Sequence, residues 1–140
     1  KALMCELCDS IGGELLWQDG LCRVVLVDDR DYPGFCRVIW GGHVKEMTDL
    51  PVAERRRLMD VVLAAESAVR QVLRPDKINL ASLGNLVPHL HWHIIPRWCG
   101  DRCFPSPIWG RAQRDAQPAM PANLADKLRN ALHAALQTGM

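Results

Sequence analysis

Three things are missing from this 140-residue chain, and each absence removes a class of function. Charge of one sign is missing: 17 Lys+Arg stand against 16 Asp+Glu, a formal net charge of +1. A balanced chain has no broad field to draw in nucleic acid or a membrane surface, so neither is expected as a partner. Its one positive run, Arg55-Arg56-Arg57, reads as the solvated face of a helix rather than a phosphate patch. Long apolar runs are missing too, and none reaches the length needed to span a bilayer. The third absence is a secretory signature: "KALMCELC" turns acidic after one lysine, with no apolar stretch and no small-residue cleavage site. The expected compartment is the cytoplasm. There is also no internal repeat and no low-complexity segment, which excludes solenoids and disordered linkers.

What is present suits one ordinary domain, 49% hydrophobic and 24% charged. "LLWQDGLCRVVLVDD" reads as a hairpin, Leu15–Trp17 and Leu21–Val27 joined at Asp19-Gly20. "FCRVIW" is a third strand, closed by Gly41-Gly42. From Pro51 the period changes: Leu58, Val61, Val62, Ala65, Val69, Val72 and Leu73 fall on one helical stripe, with Pro75 just past its end. "KINLASL" is a short strand, and residues 89–95 form another, ended by Pro96. Residues 98–120 form a proline-containing loop. A last helix over residues 121–138 carries Leu124, Leu128, Leu132 and Leu136 on one stripe. Strands, helix, strands, helix with mostly antiparallel connections make the class α+β. The whole chain, 1–140, reads as a single domain with its core over residues 5–97.

The concentrated feature is "HLHWHIIPR", which holds three of the five histidines. Side chains of a strand alternate between faces, so His89, His91 and His93 share one face while Leu90, Trp92 and Ile94 seal the other against the core. Three imidazoles in a row are poorly explained by stability, because each ring needs polar partners. Mutual repulsion of their charged forms favours neutral rings, and a neutral imidazole is a nucleophile, a base and a metal ligand.

"HLHWHII" resembles the signature of the histidine triad (HIT) family, His-apolar-His-apolar-His-apolar-apolar. "INLASLGNLVPHLHWHIIPR" is similar to the family's active-site segment, and "FCRVIWGGHVKEMTDL" to its middle segment. The resemblance implies a HIT-like fold, an antiparallel sheet with one long helix and a C-terminal helix, in a homodimer. It also implies a nucleotide hydrolase acting at the α-phosphate of a nucleoside phosphoramidate or dinucleoside polyphosphate. His91 would attack and carry the nucleotidyl group, His93 would contact the phosphate or leaving group, and His89 would orient the site or bind metal. A nucleotidyl transferase, or a nucleotide-binding protein with little turnover, remains as an alternative. Asn79 falls where the family places an amide that orients the nucleophilic ring. Gly84 and Asn85 fall where the backbone and an amide hold phosphate oxygens. Leu86 departs from the pattern, since many relatives carry a hydroxyl there. Asp28, with Asp29 close behind, is the candidate for the ribose. Trp109 either closes over the site or anchors packing.

"CELC" sets Cys5 and Cys8 at a spacing that lets two thiolates share one zinc. The resemblance to bacterial-type HIT branches with an N-terminal Cys-x-x-Cys adds His43 and His89 as the remaining ligands of a structural Zn²⁺; the chemistry itself would need no cofactor. Cys22 and Cys36 fall in strands as buried apolar residues. Cys99 and Cys103 form a loop pair without an assigned role. His133 is read as a surface or interface residue of the last helix.

Overall fold

The structure, a computed structural model, describes residues 4–137. A single helical turn, α1 (Glu6–Asp9), is followed by β1 (Glu14–Gln18), β2 (Cys22–Leu26) and β3 (Cys36–Trp40). Helix α2 (Val52–Leu73), strands β4 (Lys77–Ala81) and β5 (His91–Arg97) and helix α3 (Leu124–Gln137) complete the fold. The five strands form one antiparallel sheet in the order β1-β2-β3-β5-β4. The class is α+β, as the patterning requires. Residue 138, the expected end of the last helix, lies outside the described residues.

Local chemistry sets the joints. The Asp19 carboxylate accepts from the backbone N–H of Leu21 and Cys22, which closes the β1–β2 turn. Pro51 caps α2 one residue before its first turn, and Arg74 ends it in the left-handed conformation ahead of Pro75. The α2 stripe buries Leu58, Val61, Val62, Ala65 and Val69 against Val24, Val38 and Ile94 of the sheet. The arginine run does not simply face solvent. Arg57 pairs with Asp19 at 3.2 Å and lies over the Trp17 ring, while Arg55 donates to the carbonyls of Leu50 and Thr48.

The leucine stripe of α3 is consumed inside the chain. Leu124, Leu128 and Leu132 are buried in the same core as α2, and α3 also packs on β1. The stripe therefore lends no support to a dimer. His133 is exposed.

Two boundaries differ from those expected. β5 begins at His91, so His89 and Leu90 precede the strand, although Leu90 still exchanges backbone hydrogen bonds with Trp40 and Val44. Pro96 lies inside β5 and does not end it. β3 stops opposite Ile94, so at Pro96 only the edge strand β4 lies alongside, and a missing N–H is tolerated there.

Candidate active site and metal cluster

Alternation along β5 places His91 and His93 on one face, as the pattern demands, while His89 precedes the strand. Leu90, Trp92 and Ile94 join the core on the helix side. On the other face the rings of His91 and His93 meet edge to face, centroids 4.9 Å apart. His91 Nδ1 lies 2.6 Å from the backbone carbonyl of His89. A carbonyl only accepts, so Nδ1 carries the proton and Nε2 keeps its lone pair. Burial pushes His91 below the usual histidine range; the hydrogen bond to His89 opposes this and the charge of Arg37 adds to it. Burial, with His91 and Arg37 assisting, takes His93 down to about 3. Both rings are thus held neutral near pH 7.

His91 and His93 open on a cavity of about 300 Å³ that Gly84, Asn85, Arg37 and Trp109 also line. Gly84 has φ +73°, a conformation that L side chains rarely adopt. The Trp109 ring stands 4.9 Å from His93 and is half exposed, so it covers this end of the site and is no buried anchor. Leu86 is 92% exposed at the rim, and among the described residues lining this cavity none carries a hydroxyl. A second cavity, about 490 Å³, meets the first at Leu83, Gly84 and His91 and includes Lys45, Thr48 and Ser82. A larger cavity, about 510 Å³, lies elsewhere, between Pro33, Leu73 and residues 115–119, and no histidine is among its described lining residues.

Two of the expected site residues lie apart from the triad's reacting atoms. Asn79 Oδ1 accepts from Arg97 Nη1 at 2.8 Å, and Nδ1 of His91 is held by the backbone carbonyl of His89. Arg97 and Asp101 form a buried bidentate pair, 2.8 and 3.0 Å, that also draws in Tyr32 and the backbone of Trp98, Cys103, Phe104 and Ser106. This pair pins the start of the proline-containing loop onto the end of β5. Asp28 is exposed and lines a separate cavity with Val27, Gly34 and Pro121. Asp29 accepts the backbone N–H of Asp31, a turn role.

Arg37 escaped the sequence reading. It lies directly opposite His93 in the β3–β5 register, and its Nε donates to His93 Nδ1 at 3.4 Å. The available signal was an arginine in the middle of an otherwise apolar strand, "FCRVIW".

The four expected metal ligands converge. The donor atoms of Cys5, Cys8, His43 and His89 all lie within 4.8 Å of one another. His89 Nδ1 is 3.4 Å from each sulfur and 3.3 Å from His43 Nδ1, and Cys8 Sγ is 3.5 Å from His43 Nδ1. A tetrahedral zinc with bonds of about 2.3 Å to sulfur and about 2.0 Å to nitrogen puts S and N about 3.5 Å apart and N and N about 3.3 Å apart. The residues therefore fit a metal ion of this kind. His89 Nε2 donates to the Trp40 carbonyl at 2.6 Å, which leaves Nδ1 as the ligating lone pair and fixes the ring. Cys22, Cys36 and Cys103 are buried thiols, Cys99 is exposed, and all are unbridged.

Comparison with known proteins fits this geometry. The HIT domain model matches residues 10–99. The chain belongs to the HIT family. The HIT protein of Bradyrhizobium japonicum superposes with a TM-score of 0.74 at 29% identity, over 96% of each chain. That of Marinobacter aquaeolei VT8 gives 0.72 at 26% identity, over 97% of this chain and 96% of its own. A zinc-bound HIT family protein of Mycobacterium smegmatis shares the fold, with a TM-score of 0.68 at 24% identity over 97% of both chains. Among curated proteins, the AP-4-A phosphorylase of Mycobacterium tuberculosis is 34% identical over 84 residues, 56% of this chain and 43% of that enzyme. The match thus takes in less than half of the enzyme's length.

Proposed function

We propose that this HIT protein hydrolyses a nucleotide at its α-phosphate through a nucleotidyl intermediate on His91 and releases a nucleoside monophosphate. The observation that carries the reading is the 2.6 Å bond from His91 Nδ1 to the His89 carbonyl, which leaves Nε2 unprotonated beside the cavity of Gly84 and Asn85. In the first step Nε2 bonds to the α-phosphorus, and the bond from phosphorus to the leaving group breaks. In the second, water bonds to phosphorus and the P–N bond breaks, returning neutral His91 and a proton to solvent. His93 accepts from Arg37 at Nδ1 and so presents Nε2–H as a donor to a phosphoryl oxygen. Asn85 and the Gly84 backbone are assigned to the remaining oxygens. Substrates of two kinds suit this chemistry, nucleoside phosphoramidates and dinucleoside polyphosphates.

The Cys5, Cys8, His43 and His89 cluster is assigned to one structural zinc, which would use all four ligands and tie the N-terminal segment to the sheet. Hydrolysis is tested with a fluorogenic nucleoside phosphoramidate: wild type turns it over, and His91→Ala falls to background. Equal rates in the two proteins would sink the assignment. Likeness to a phosphorylase favours a second reading, nucleotidyl transfer to phosphate. A nucleoside diphosphate formed only when phosphate is added would establish transfer.

A further inference from the structure

One part of the cavity is left over by this chemistry. Arg37 is half-buried there, with its guanidinium 5.4 Å over the Phe35 ring and its Nε on His93, so its plane is fixed. Among the described residues, no hydrogen bond or ion pair engages its two terminal nitrogens. Glu6, from α1, lines the same cavity. Its charge acts on Arg37, yet the two do not close into an ion pair. Leu7, Leu83 and Val87 supply apolar wall between them.

A bare cationic pocket would suit phosphate. The α-phosphate belongs to the His91 and Gly84 part of this cavity; beside Arg37 the Glu6 carboxylate disfavours a second anion, and the apolar walls suit a flat ring. A fixed guanidinium fork and a separate carboxylate match a base with two adjacent acceptors and a donor edge beside them. Guanine has that pattern: O6 and N7 accept from an arginine fork, while N1–H and N2–H₂ donate to a carboxylate. Adenine offers an amino group where the fork needs an acceptor.

We propose that Arg37 and Glu6 form a base-reading pair that selects guanine over adenine in the nucleotide bound at the triad. The inference rests on the nucleotide reading above and adds the base to it.

Calorimetric titration of the metal-loaded protein with GMP, AMP and IMP tests it without requiring turnover. Wild type is expected to bind GMP about 10- to 100-fold more tightly than AMP, the discrimination typical of a bidentate arginine–guanine contact. Arg37→Gln removes the fork, and whatever it does to affinity through His93 acts on both nucleotides alike, so the ratio of GMP to AMP affinity should fall to about 1. Glu6→Gln should narrow the gap between GMP and IMP, which lacks the N2 amine. Equal or tighter AMP binding by wild type overturns the proposal. So does an Arg37→Gln variant that keeps the wild-type ratio of GMP to AMP affinity, which would mean that Arg37 does not read the base. Failure of the hydrolase reading looks different: no turnover by wild type, with the GMP preference intact and retained in His91→Ala.

Discussion

The two ends of β5 are both finished by polar clusters, and they are built on opposite rules. At the far end, Arg97 is 2% exposed and its donors meet Asp101, Asn79 and the Ser106 carbonyl. Donors face acceptors, and the cluster is complete within the chain. At the near end, His89 is fully buried, and four lone-pair donors from Cys5, Cys8, His43 and His89 point at one another. Acceptors face acceptors, and such a set is stable only around a cation or with its thiols protonated. The first arrangement is a clamp that needs nothing else. The second is a socket whose strength depends on what it holds.

That contrast can be broken from either end. The largest effect is expected at the socket. A Cys5→Ser/Cys8→Ser double variant should take bound zinc from about one per chain to none, measured by elemental analysis, and should lower the melting temperature. Protein that purifies folded, stable and metal-free would contradict the socket. At the clamp, Asp101→Ala leaves a buried guanidinium unpaired and should destabilise the fold by about 3–5 kcal/mol in chemical denaturation. Zinc content should stay unchanged, because the two clusters lie at opposite ends of the strand. An Arg97→Met/Asp101→Leu double variant should lose much less than Asp101→Ala, since no charge is then stranded. If Asp101→Ala costs under about 1 kcal/mol, the level of an exposed pair, the pair is not the clamp described.

The smallest effect concerns the ring between the two ends. His93 sits at about 3 in the folded protein, below its ordinary value, so the unfolded chain binds more protons between about pH 3 and 6.5. Its contribution is therefore fully present above about pH 6.5 and is lost as pH falls through that window. A His93→Gln variant should show a shallower loss of stability on acidification than wild type. By NMR the His93 ring should stay neutral at pH 5, and a midpoint near 6.5 would refute the burial argument.

Much of this could be read from residues alone, for physical reasons. The alternation in "HLHWHIIPR" fixes which side chains share a face whatever the rest of the chain does. The α2 stripe is long enough to be unambiguous. Cys-x-x-Cys brings two ligands together locally. What escaped reading depends on pairing between distant segments. Arg37 becomes a site residue only through its register with His93, and Asn79 turns to Arg97 only because β4 and β5 lie side by side. The α3 leucines carry no label saying whether they face α2 or another chain. Pro96 looks like a stop signal until β4 proves to be the edge strand.

One bond at the site has an unusual relation to heredity. The proton on His91 is placed by the main-chain oxygen of His89, and every amino acid carries that oxygen. Replacing His89 would empty the socket of a ligand but would not by itself remove the acceptor that sets the tautomer of His91. Only a change in the path of the main chain over residues 89–91 would do that. At position 89 the side chain can change while this bond survives.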